Sequence, residues 1–118
     1  DELCAGANSD EERLAAIRTY VVKNIIYDYV LAATVQTGYL PVVDDVLASG
    51  KGICFDYAAL MACMLRTQGI PTKLVIGYAD MVYHAWNSVL INGEWQHVDT
   101  TAEANHMNVK LYTEERIY

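Results

Sequence analysis

No apolar run in this chain approaches the length of a membrane span, so a helical integral membrane protein is not expected. Basic residues are scarce: 8 Lys and Arg stand against 15 Asp and Glu, for a net charge of −7. Without a Lys/Arg cluster to neutralise phosphates, nucleic acid is not an expected partner. Cysteine is limited to Cys4, Cys54 and Cys63, whose spacings match no zinc pattern and leave at least one thiol unpaired. No acidic cluster has the spacing of a calcium loop, and neither a metal nor any other cofactor is expected. Repeats and low-complexity segments are also lacking. The first residues, Asp1-Glu2, carry neither Met nor a signal peptide, which fits a processed product or a piece of a larger protein. At 118 residues and 53% hydrophobic content, residues 1–118 are expected to form a single globular domain.

The stretch that organises the rest runs from Gly50-Lys51-Gly52-Ile53-Cys54 into Phe55-Asp56-Tyr57-Ala58-Ala59-Leu60-Met61-Ala62-Cys63. The two glycines suit a tight backbone path, and good helix formers with apolar groups at helical spacing follow them. Cys54 is therefore expected at a helix N-terminus, where unpaired N–H groups and the helix dipole favour a thiolate over a thiol. Cys63, inside an apolar run, is expected to be plain core.

Residues 1–8 read as a loose leader in which Cys4 is incidental. Ser9 and Glu12 offer a capping box ahead of an apolar stripe at Leu14, Ile17, Val21 and Ile25, predicting a helix to about Tyr27. Residues 29–42 read as a connection or irregular strand, and 44–48 as a short helical turn ended by Gly50. The Cys54 helix should stop near Gln68, ahead of Gly69 and Pro71. Strands are expected over 72–78, 82–91 and 94–99, with Asn92-Gly93 as a type I′ hairpin turn. Both Trp86 and Trp95 are assigned to the core. A final strand or turn is expected around 109–112. Helices followed by antiparallel strands make an α+β fold.

The hairpin allows a geometric step. If Asn92-Gly93 is a two-residue loop, Ile91 faces Glu94, and continuing that register sets Asp99 opposite Trp86. His84 shares the face of Trp86, so His84 and Asp99 become diagonal neighbours with Cα atoms about 7–8 Å apart. An imidazole paired with a carboxylate is what a thiol nucleophile requires: one nitrogen exchanges the thiol proton while the acid fixes the other. Taken singly, His84 also reads as a sheet histidine and Asp99 as a strand-end residue. His97 shares the face, but no acid lies diagonal to it, and His106 falls in the unpatterned tail.

These motifs resemble the transglutaminase-like core domain of the papain-like cysteine enzyme superfamily. Gly50 to Ala58 is similar to its nucleophile motif, His84-Ala85-Trp86-Asn87 to its histidine motif, and Val98-Asp99-Thr100-Thr101 to its acid motif. The resemblance implies nucleophile-bearing N-terminal helices packed on an antiparallel sheet. It further implies Cys54 as nucleophile, His84 as general base and acid, and Asp99 as the orienting acid, acting on a protein or peptide amide through a thioester resolved by an amine or water. An oxyanion hole needs a second donor beside the Cys54 N–H, for which Tyr27 and Gln36 are the candidates. The competing reading is a catalytically silent domain of the same fold that binds protein or peptide.

Overall fold

A computed structural model describes residues 4–35 and 39–118 of the chain. The first helix, α1, spans Asp10–Asn24. The Ser9 side chain accepts the Glu12 N–H at 3.2 Å, while the Glu12 carboxylate takes the Asn8 N–H at 3.3 Å, one residue earlier than a capping box requires. Its buried stripe is Leu14, Ile17 and Val21.

The helix ends three residues before Tyr27, because Ile26–Tyr27 leave it to form a short strand, β1. β1 runs parallel to β2, Lys51–Gly52, with Ile26 N–H to Gly50 O and Asp28 N–H to Gly52 O both at 2.8 Å. Those bonds tie the glycine turn to the end of α1. The following segment is not an irregular strand: Tyr29–Thr34 forms a helix, α2, capped by Asp28, whose carboxylate accepts the Leu31 N–H at 3.0 Å. A third helix, α3, covers Val43–Ser49 and stops at Gly50, which adopts φ +68. Only glycine takes that left-handed position without strain.

Cys54–Thr67 forms α4, and Gly69 (φ +76) terminates it, with Gly69 and Ile70 amides returning to Arg66 and Leu65 carbonyls. The strands are β3 (Thr72–Ala79), β4 (Val82–Ile91), β5 (Glu94–Val98) and β6 (Tyr112–Ile117), in the antiparallel order β5-β4-β3-β6. Asn92 and Gly93 both have positive φ, and Ile91 pairs with Glu94, the register expected of the two-residue turn. After β5 the chain turns into a short helix, α5, at Thr100–Ala104. The tail's strand lies later than expected, over Tyr112–Ile117, because its partner is the distant edge of β3. Helices packed on one antiparallel sheet make the fold α+β.

The main core lies where α1 and α4 meet the sheet, and joins Ile17 and Val21 to Tyr57, Leu60, Met61 and Leu65 and to Val89, Ile91 and Val98. Tyr57 is wholly buried and satisfies its hydroxyl by donating to Ile25 O at 2.8 Å. Three expectations fail on packing. Cys4 is not incidental but 6% exposed and part of this core. Cys63 is exposed, because the faces of α4 turned to the protein carry Leu60, Met61, Ala62 and Leu65 and leave Cys63 beside Arg66 and Thr67 on the solvent side. Trp86 is core at 2% exposure, but Trp95 is 46% exposed, its ring covered by the Lys73 ammonium 4.0 Å from the centroid.

Candidate active site

The glycine turn before α4 is shaped by close approach as well as by φ. A Cβ on Gly52 would lie 2.5 Å from the Asp56 Cβ, so only glycine lets the chain pass that side chain. Asp56 is buried and acts on the turn directly. One oxygen accepts the Ile53 N–H at 2.8 Å, and the other accepts the Tyr39 hydroxyl at 2.6 Å. The unpaired first-turn N–H of Ile53 is thereby satisfied. Cys54 begins α4 immediately afterwards, half-buried.

His84 comes from the middle sheet strand β4, and Asp99 from the residue just after β5. Asp99 Oδ1 accepts the Ala102 N–H at 3.1 Å and so caps α5. Its Oδ2 lies 2.8 Å from His84 Nε2, and both residues are 5% exposed. Burial alone would push Asp99 up, but the His84 hydrogen bond and charge, the Ala102 N–H and the Tyr112 hydroxyl together hold its carboxyl below the usual range. An ionised carboxylate can only accept, so His84 Nε2 carries the proton and Nδ1 is left for another partner. Cys54 lies close enough to this imidazole to raise its proton affinity. Burial disfavours the imidazolium, but the Asp99 hydrogen bond, then Cys54, outweigh it and raise His84 to about 9.

The three residues expected from the sequence are thus brought together in the order Cys54, His84, Asp99. Tyr27, paired with Gly52, is close enough to Cys54 that burial first, and the thiol next, raise its phenol. Gln36 lies outside the described residues. His97 forms no bond to the acid; it packs against the Tyr112 ring at 4.1 Å and Trp86 at 6.0 Å, and burial lowers it. Sequence reasoning missed Tyr39, Asp56 and Tyr112. For Asp56 a signal existed, an acid at the third position of the predicted helix. For Tyr39 and Tyr112 none did.

Cys54 and His84 open onto a groove of about 670 Å³, walled by Tyr39, Leu40, Phe55, Leu74, Ile76 and Tyr83. Among the described residues, no three His, Cys, Asp or Glu side chains gather as a metal site, and no helix is long and apolar enough to cross a membrane.

This fold and its motifs define a class. The chain belongs to the transglutaminase-like superfamily, whose sequence profile matches residues 1–100. It is similar to the kyphoscoliosis peptidase of Mus musculus, at 33% identity over 85% of this chain, and to that of Homo sapiens, at 31% over the same share. It spans about 17% of the length of either relative. Among solved structures, a TGase superimposes with a TM-score of 0.67 at 22% identity, over 80% of this chain and 27% of that one. A candidate cysteine protease from Cytophaga hutchinsonii gives 0.69 at 19% identity, over 99% of this chain and 46% of that one. Both share the fold.

Proposed function

We propose that this chain carries out thiol-dependent acyl transfer or hydrolysis on protein or peptide amides, with Cys54, His84 and Asp99 as the catalytic set and no metal or other cofactor. The observation that supports this reading is one buried imidazole, bonded through Nε2 to a carboxylate at 2.8 Å and set beside a helix-start thiol that raises its proton affinity. In the reaction, His84 Nδ1 takes the Cys54 proton and Sγ attacks the amide carbonyl carbon. The carbonyl oxygen becomes an oxyanion held by the Cys54 N–H and, as second donor, the Tyr27 hydroxyl. Collapse breaks the C–N bond, and His84 returns the proton to the leaving amine, leaving a thioester on Cys54. Water or an amine, deprotonated by His84, then releases the acyl group. The name peptidase carried by the curated relatives favours water as the acceptor. The apolar groove walls suit an apolar stretch of the substrate beside the scissile amide.

The test is the pH dependence of Cys54 alkylation in a Cys63→Ala background, which removes the exposed competing thiol. Cys54 should react well below the range of an ordinary thiol (reference pKa ~8.5), and His84→Ala should abolish that advantage. An ordinary thiol profile in both proteins would rule the activated pair out and leave a silent binding domain.

A further inference from the structure

Asp99 Oδ2 has a second donor. The Tyr112 hydroxyl lies 2.8 Å from the same oxygen that His84 Nε2 contacts, also at 2.8 Å. Because the carboxylate only accepts, Tyr112 donates, and burial followed by Asp99 keeps its phenol protonated far above the ordinary range. Tyr112 stands outside residues 1–100, the region the family profile matches.

Its position is built from distant parts of the chain. Asp80, at φ +48 in the two-residue turn between β3 and β4, accepts the N–H of Lys110 at 3.0 Å and of Leu111 at 2.8 Å, and its own N–H donates to Leu111 O at 2.8 Å. This delivers the chain to Tyr112. Beside it, β6 crosses β3 so closely that a Cβ on Gly77 would meet the Thr113 carbonyl oxygen at 1.9 Å. The register shift between Ile76 and Gly77 marks that crossing. The Tyr112 ring then packs 4.9 Å from Trp86 and 4.1 Å from His97.

We infer that Tyr112 is a positioning residue for the His84–Asp99 pair: it fixes the carboxylate and, by sharing Oδ2, limits how tightly Asp99 holds the protonated imidazole. The inference rests on the acyl-transfer reading above. Two donors on one oxygen weaken each other, because each reduces the charge the other meets. The Ala102 N–H locks Oδ1 while Tyr112 and His84 lock Oδ2, so the acid cannot rotate away. A histidine that must first accept a proton from Cys54 and then return it to the leaving amine works less well the more firmly it holds that proton. An unshared, buried Asp99 would hold it more firmly still. Around the pair, His84 faces Cys54, Asp99 and His97; Tyr112 also feels Asp80 and Glu103, and His97 feels Arg18 and Glu114. Replacing Tyr112 by Phe leaves all of these unchanged and keeps the ring contacts.

The experiment compares Cys63→Ala protein with the same protein carrying Tyr112→Phe, His84→Ala, or 3-fluorotyrosine at position 112. Histidine ring NMR titration reads the His84 midpoint, and alkylation reads Cys54. In Tyr112→Phe the His84 midpoint should rise by about half a pH unit or more, and with the stronger fluorophenol donor it should fall. A role in packing alone changes thermal stability and leaves both midpoints in place, and that result overturns the inference while the Cys54–His84 pair stands. If Cys54 reacts identically with and without His84, the catalytic reading and the Tyr112 inference fall together.

Discussion

Raising the pH from about 6 to about 9.5 strips the proton from the buried His84–Asp99 pair, and that charge change should appear in the stability of the fold. The sign follows from the direction of the shift. His84 is raised from 6.5 to about 9 by Asp99 and Cys54 against the opposing effect of burial, so its contribution is fully present below the unfolded value and is lost as pH rises through the folded one. At about 1.4 kcal/mol per pH unit the ceiling is ~3 kcal/mol, and sharing between two coupled groups brings the expected loss to ~1–3 kcal/mol. For a chain of 118 residues this corresponds to a fall of about 4–12 °C in Tm. The assay is thermal unfolding across that range, wild type against His84→Gln. The remaining titrating groups are common to both proteins, so the difference between their slopes reports His84 together with Cys54 and Asp99, the two groups coupled to it. The Gln variant should be less stable near pH 6 and should approach the wild type near pH 9.5. Parallel pH profiles would mean that His84 is neutral in the folded protein, and the imidazolium invoked above would have no basis.

Asp56→Ala frees both the Ile53 N–H and the Tyr39 hydroxyl. It should cost ~1–3 kcal/mol in denaturant unfolding and slow Cys54 alkylation, whereas Tyr39→Phe should cost less because the Ile53 cap survives. Tyr57→Phe leaves the Ile25 carbonyl without its donor in a fully buried setting, and should lower stability by ~1–2 kcal/mol without moving the Cys54 pH profile.

What could be read from the sequence was local or followed from one strong local signal. Asn92-Gly93 accepts positive φ at both residues, so the hairpin register was fixed, and with it the meeting of His84 and Asp99 fifteen residues apart. The Cys54 helix start followed from Gly50 and Gly52 in the same way. What stayed hidden depends on contacts that no period or turn encodes. The Tyr29–Thr34 helix has aromatic and β-branched residues and no buried face, and Asp28 holds its first turn. Cys4 is buried only because the chain before α1 folds back on the core. Cys63 and Trp95 lie in patterns that suit core, and only the packing around each decides otherwise. Tyr112 reaches Asp99 through β6 pairing with β3, on the opposite side of β3 from the hairpin that positions His84.

The spacing between the Cys54 thiol and the His84 imidazole has its own support, and it explains why Asn87 closes the His84-Ala85-Trp86-Asn87 run. The Asn87 side-chain amide donates to Ala58 O at 3.0 Å and to Lys73 O at 3.2 Å. Ala58 is one helical turn beyond Cys54, and Asn87 is three residues beyond His84, so this one amide joins the helix bearing the thiol to the strand bearing the imidazole. Asn87 is wholly buried, and its Oδ1 has no partner among the described residues. An unpaired buried oxygen costs about 1–3 kcal/mol, a cost an apolar side chain of similar size would avoid. Asn87 therefore makes sense at this position for what its two N–H groups hold in place. Tyr39–Asp56 holds the turn before Cys54, Asn87 ties α4 to β4, and Tyr112 bonds Asp99, so each of the three side chains is set by contacts that cross between elements.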